Sequence, residues 1–206
     1  MKFSFVGAAV ALAAVATLAG CGGKQQYTVQ GTITGLNNSG LVLTNNGGDD
    51  LSVPIGATSF SFPKQIDYGT TYSVDVKSHP AHMTCGWNTT HVGSAGYNVT
   101  IQMQLACTQN TYSLGGQITG LTVAADGTTA RTITLINGSL GSVTISSANA
   151  TNGAADFVIG QVADGAAYGV SVVPSDPKMS CTVTNGTGVM HETAVSNIVV
   201  ACTTRP

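Results

Sequence analysis

From Val99 to Cys107 the chain alternates without a break: Val99, Ile101, Met103, Leu105 and Cys107 share one parity, and Thr100, Gln102, Gln104 and Ala106 the other. A period of two belongs to a strand with one buried face, so the five residues of the first set are expected to face a core. Ile198, Val200 and Cys202 repeat the pattern near the far end of the sequence. Working back through the first half, strands are predicted around residues 27–34, 40–44, 51–53, 59–62, 72–77 and 83–87, with Gly, Asn, Asp and Pro marking the turns between them. No window beyond the first twenty residues carries a helical period. About seven short strands in this rhythm predict a β-sandwich.

The pattern occurs twice. Tyr27 to Leu36 reads YTVQGTITGL and Tyr112 to Leu121 reads YSLGGQITGL, with six of ten positions identical. The offset is 85 at Tyr27/Tyr112, 91 where Asn46-Gly47 is placed on Asn137-Gly138, and 96 where Gly69-Thr-Thr-Tyr72 meets Gly165-Ala-Ala-Tyr168. It grows only at loops, around residues 123–129 and 146–152. Strands kept and loops varied are the mark of a duplicated folding unit. The expected organisation is a repeat over residues 27–108 and a second over 109–206, each a size that folds alone with the help of a disulfide.

The order Y-x-V-x-G-x-I-x-G-L, a strand ending at Asn45-Asn46-Gly47-Gly48, the aromatic strand Phe60-Ser61-Phe62, Gly69-x-x-Tyr72-x-Val74-x-Val76 and a closing pair of cysteines resembles a tandem repeat of exported proteobacterial lipoproteins. It is also similar to the wider prealbumin-like and Ig-like sandwich class, including its carboxypeptidase regulatory-like members. The resemblance covers residues 27 to 204 and implies an all-β scaffold of two tandem domains. It brings no catalytic residue with it.

The start of the chain fits export. Met1-Lys2 precedes an Ala-rich apolar run from Phe3 to Ala19 that is short for a lasting membrane span. The run ends in Leu18-Ala19-Gly20-Cys21, which resembles the bacterial lipobox. By that resemblance residues 1–20 are a cleaved signal, Cys21 carries the lipid, and residues 21–26 are a tether. Gly22 after the cysteine resembles lipoproteins sent to the outer membrane. From Cys21 to Tyr27 six Cα steps reach at most about 20 Å, so a first domain would ride close to the bilayer.

Setting Cys21 aside leaves four cysteines, an even number suited to an oxidising compartment. Cys85 and Cys107 lie 22 apart and Cys181 and Cys202 lie 21 apart, so the repeat predicts one bridge in each copy. A zinc site built from all four lacks the closely spaced pair that such sites start from. Only 8% of residues are charged, against a usual value of about 25%, and the net charge is -2. With no basic stripe, nucleic acid is excluded as a partner.

Candidate chemistry is sparse. His79, His82, Met83 and Cys85, with His91 beyond, form the richest cluster and raise the question of copper or zinc. The second copy places Ser175 on His79 and Lys178 on His82, which favours solvated loop histidines. Asn45 to Asp50 offers oxygen ligands for calcium, or a hairpin tip in which Asn and Gly accept positive φ. Trp87 is read as a cap over the disulfide, with an exposed sugar platform as the alternative. No serine sits in a G-x-S-x-G elbow, and His191-Glu192 is an isolated neighbour pair. The expectation is therefore a non-enzymatic, cofactor-free envelope lipoprotein. It would be held to the membrane by its lipid and serve as a structural or protein-interaction element. Loop-mediated binding of glycan or metal through Trp87, His79 and His82 is the alternative.

Overall fold

The computed structural model describes residues 24–204; the signal segment and Cys21 lie outside the described residues. The strands are β1 (Gln26–Tyr27), β2 (Val29–Thr34), β3 (Val42–Asn45), β4 (Asp49–Ser52), β5 (Ser59–Ser61), β6 (Ile66–Asp67), β7 (Thr71–Ser78), β8 (Met83–Trp87), β9 (Val92–Ser94) and β10 (Ile101–Gln109). After them come β11 (Thr111–Thr119), β12 (Thr132–Asn137), β13 (Ser142–Ser146), β14 (Ala155–Ala163), β15 (Ala167–Pro174), β16 (Met179–Thr184), β17 (Thr187–Val189) and β18 (Val195–Thr204). A single turn of 3₁₀ helix, Ser147–Asn149, precedes β14.

The fold is all-β, two tandem sandwiches of Ig-like type. In the first, a sheet in the order β5-β2-β10-β8 faces one in the order β4-β3-β7-β9; in the second, β14-β11-β18-β16 faces β13-β12-β15-β17. The two orders correspond strand for strand. We call the two sandwiches modules 1 and 2. Each has its own core: Val29, Leu43, Phe62, Val74, Met103 and Leu105 in module 1, and Leu114, Ile118, Leu135, Met190, Ile198 and Val200 in module 2. Burying an aliphatic or aromatic side chain of this size stabilises by roughly 1.5–3 kcal/mol, so each module has an independent driving force.

In both modules the first long strand lies parallel to the last. Val29 to Thr34 pairs with Ile101 to Ala106, and Gly116 to Thr119 pairs with Ile198 to Ala201. This pairing explains the repeated glycines of the opening motif. A Cβ at Gly31 would stand 2.5 Å from the Met103 carbonyl oxygen, and one at Gly116 only 1.9 Å from that of Ile198. Four residues on, Gly35 and Gly120 have φ of +74° and +75°, and a Cβ there would meet the carbonyl oxygens of Cys107 and Cys202 at 2.2 and 1.9 Å. Both glycines of G-x-x-x-G are thus required by the close approach of the neighbouring strand's backbone.

The disulfides are Cys85–Cys107 and Cys181–Cys202. Each joins directly opposed residues of an edge strand and the central last strand, β8 to β10 and β16 to β18.

Three sequence expectations need correction. Val99 does not continue the buried face of β10; the strand begins at Ile101, and Val99 is 93% exposed in the bend before it. β1, β6 and β9, of two or three residues each, are additional to the seven expected strands, because so short a run shows no period. The buried amide equivalent to Asn137 is Asn45, not Asn46: Asn45 and Asn137 are both buried and stand opposite Val74 and Val170 in register, while the Ser73 N–H is shared by Asn45 Oδ1 at 3.3 Å and the exposed Asn46 Oδ1 at 2.9 Å. Asn46 and Gly47, with φ of 51° and 67°, form the hairpin tip itself, and Asp50 beside it is paired with Lys77.

Candidate functional site

The modules meet at a joint one residue long. β10 ends at Gln109 and β11 begins at Thr111, so Asn110 alone separates the strands. Its backbone is held from both sides. Asn110 N–H donates to the His82 carbonyl at 2.9 Å, and Asp164 N–H donates to the Asn110 carbonyl at 2.9 Å. Its side chain accepts from the Thr84 hydroxyl at 2.8 Å.

Asp164 is the centre of the joint. It occupies the turn between β14 and β15, and its side chain is 1% exposed. Oδ1 accepts from Glu192 N–H at 3.0 Å, in the turn between β17 and β18. Oδ2 lies 3.0 Å from His82 Nδ1, which reaches over from module 1. An ionised carboxylate only accepts, so Nδ1 carries the proton of that bond. Gln109 Nε2 donates to the Asp164 carbonyl at 3.0 Å. The next residue, Gly165, leaves room for the imidazole: a Cβ there would sit 3.0 Å from His82 Nε2. His82 itself holds a φ of +61°, a conformation that costs a non-glycine residue energy and is kept here by its bonds to the second module.

The Glu192 N–H, with the His82 imidazole behind it, holds the Asp164 carboxyl below its ordinary value of 3.8, and burial opposes this only in part. A carboxyl held low contributes its full stabilisation above the unfolded value and loses it as the pH falls through the folded one. The coupling of the modules is therefore expected to persist down to the ordinary carboxylate range and to fail below a pH of 3.8. Nitrogen-15 relaxation of each module as a function of pH reads this directly. Asp164→Asn, which replaces one acceptor oxygen by a donor, should loosen the joint at neutral pH as acid does.

The far end of module 2 is the second organised feature. The loops that enlarge this copy, between β11 and β12 and between β13 and β14, both lie at the end opposite the joint, as does the turn between β15 and β16. Arg131, buried to 8% exposure, ties all three together. Its Nε donates to Asp176 at 2.8 Å, its Nη1 to the Val123 carbonyl at 3.0 Å, and its backbone N–H to the Ser147 hydroxyl at 3.0 Å. Within the first loop, the Thr129 hydroxyl and the backbone N–H groups of Thr129 and Thr128 bind Asp126 and lower its pKa to about 2. These loops are built surfaces with fixed side-chain partners.

The residues expected to bind glycan or metal have separate partners. His79 Nδ1 accepts from Cys85 N–H at 3.0 Å and serves its own loop, whereas His82 serves the joint. Trp87 packs at the margin of the module 1 core, edge to ring with Phe60 at a centroid distance of 5.9 Å, and it is stacked on His91 at 5.2 Å. One face of the indole is thereby covered by the imidazole. Among the described residues no three His, Cys, Asp or Glu side chains come together as metal ligands. A surface hollow of about 650 Å³, lined by Tyr72, Val92, Tyr97, Asn98 and Gln102 among others, includes none of Trp87, His79 and His82.

No protein-family model matches the chain, and no curated protein matches it in sequence. Among solved structures it is similar to the Bacillus anthracis TIE protein, with 13% identity and a TM-score of 0.49, over 87% of this chain and 34% of that one. The chain thus spans about a third of the TIE protein's length. It is also similar to the major pilin T-13 of Streptococcus pyogenes, with 9% identity and a TM-score of 0.30, over 89% of this chain and 97% of the pilin. Superpositions this loose carry nothing about activity or partners. The sandwich assignment rests on the strand order of the chain itself.

Sequence reasoning missed Asp164, the Glu192 backbone and Arg131. One signal was present. At the offset of 96 that places Gly69 on Gly165, Asp164 falls on Tyr68, an acid in one copy against an aromatic in the other.

Proposed function

We propose that this chain is a non-catalytic, membrane-anchored lipoprotein of the bacterial cell envelope whose two β-sandwich modules act as a rigid spacer. It would hold the loops at the far end of module 2 away from the membrane, toward an envelope protein or a glycan. The observation that carries the reading is the one-residue joint at Asn110, fastened through Asp164 to His82, Gln109 and Glu192. A linker meant to allow free domain motion would be long and rich in Gly or Ser. Here the connection has no slack, and the loops gathered by Arg131 sit at the end that it points outward.

Anchoring through Cys21 rests on the sequence Leu18-Ala19-Gly20-Cys21. Cys21→Ser is expected to move the protein from the membrane fraction to the soluble exported fraction and to abolish incorporation of radiolabelled palmitate. Retention of the unlabelled variant in the membrane would count against the lipid anchor. In the wild type, a crosslinker placed at Asp126 or Asn149 should capture the partner, and one at Val189, exposed at the joint end of module 2, should capture less of it.

A further inference from the structure

The end of module 2 that docks on module 1 has a counterpart in module 1, and that counterpart is unoccupied by any described residue. The equivalence is in the backbone. Asp164 N–H donates to the Asn110 carbonyl at 2.9 Å, and Tyr68 N–H donates to the Gln25 carbonyl at 2.8 Å. Gly165 N–H donates to the Met190 carbonyl at 2.8 Å, and Gly69 N–H to that of Ala95 at 2.8 Å. Where module 2 presents Asp164 and the turn at Glu192, module 1 presents Tyr68 and the bend from Gly96 to Thr100.

This surface is aromatic and apolar. Tyr68 is 64% exposed, Tyr97 90% and Val99 93%. The Tyr27 ring lies beside that of Tyr68, with centroids 6.5 Å apart, and Val99 lines a small hollow with Gln25, Tyr27 and Thr28. The patch therefore surrounds the point where the chain enters the module. The charges nearby are few, Lys64 with Asp49 and Asp67 around a neighbouring hollow. The joint with module 2 is at the other end of β10, nine residues away, or about 30 Å at the rise of a strand.

We propose that Tyr68, Tyr97 and Val99 form a foot that seats module 1 in the interfacial zone of the lipid bilayer. This rests on the lipid-anchor reading of Cys21. The described chain begins at Lys24, three residues after Cys21, and three residues reach no more than about 11 Å. A lipid on Cys21 therefore brings the patch to the membrane surface. Tyrosine suits that depth, because its ring is apolar and its hydroxyl stays in the headgroup layer. A second, shallow contact also fixes the tilt of the spacer, which a lipid on a tether alone leaves free.

A second copy bound head to tail is the competing occupant, and the side chains disfavour it. The joint between modules pairs an acid, Asp164, with His82. At the free ends the equivalent residues are Tyr68 and Lys178, which do not reproduce that bond.

The test uses the lipidated full chain in nanodiscs of phosphatidylethanolamine and phosphatidylglycerol containing a doxyl-labelled lipid. The foot is expected to lose its amide signals at Tyr68, Tyr97 and Val99 to paramagnetic broadening. Val173, near the far end of module 2 and 53% exposed, should keep its signal. Retention of all four signals while the protein co-elutes with the disc would overturn the foot and leave the anchor standing. Failure to co-elute would overturn both. Concentration-dependent shifts at Tyr97 and Lys178 without broadening would overturn the foot and assign the patch to a second copy instead.

Discussion

Gly120→Ala is expected to unfold module 2 at a temperature at least about 12 °C below wild type, while leaving the transition of module 1 in place. Two costs combine. The φ of +75° is strained for any residue with a Cβ, and the new methyl would lie 1.9 Å from the Cys202 carbonyl oxygen, which belongs to a central strand and cannot move alone. The left-handed backbone by itself costs on the order of 1 kcal/mol, and forcing apart the parallel pair of β11 and β18 brings the sum above about 3 kcal/mol. A domain of this size has only about 5–15 kcal/mol to lose. Gly127→Ala separates the two costs, because its φ of +73° is similar and nothing lies within 4 Å of the added carbon. Calorimetry should show a small shift for Gly127→Ala and a large one for Gly120→Ala; Gly35→Ala should do to module 1 what Gly120→Ala does to module 2.

The second large effect belongs to the disulfides. Removing Cys181–Cys202 as a double alanine variant frees a loop of 21 residues, and by the loop-closure argument this destabilises module 2 by about 3 kcal/mol. Cys85–Cys107, with a separation of 22, stabilises module 1 by a similar amount. Each loss corresponds to roughly 12–24 °C in the melting temperature of a domain of 60–100 residues. Because each bond lies within a single core, each double variant should shift its own module's transition and not the other's. Peptide mapping without reduction should recover Cys85 with Cys107 and Cys181 with Cys202 and no crossed pair. Alanine is the replacement of choice, since Cys85, Cys107 and Cys202 are buried and a serine hydroxyl there would need a partner.

What the sequence made legible was whatever repeats at short range. The alternation of Ile101, Met103, Leu105 and Cys107 located β10, and the matched cysteine spacings paired the disulfides. Val99 belonged to the same alternation by parity alone. Parity says which face a residue takes inside a strand, and it is silent on where the strand begins. The parallel pairing of β2 with β10 left its trace in Gly31 and Gly35, yet a glycine's reason lies in the carbonyl opposite, on a strand far along the chain. Asn45 and Asn46 are neighbours whose side chains both bond β7, one buried and the other exposed at the hairpin tip, and composition does not separate them. The joint was the least legible feature. Asp164 is satisfied by a backbone N–H from Glu192 and an imidazole from the other module, partners that only the assembled fold brings together. Its one visible sign was a difference between the copies, an aspartate where the first has Tyr68.

The two copies also differ in what their equivalent ends meet. Module 2 turns this end toward module 1, and module 1 turns it toward the start of the chain. The loops that only module 2 possesses lie at the opposite extreme. Direction along the molecule is thus written into where the two copies diverge.

All of this depends on the two modules moving as one body. Residual dipolar couplings, measured for backbone amides of both modules in one weakly aligned sample at neutral pH, test that most directly. The account predicts that a single alignment tensor fits the couplings of residues 26–109 and 111–204 together. Two tensors of different magnitude, with one module's couplings scaled toward zero, would contradict it and make Asn110 a hinge.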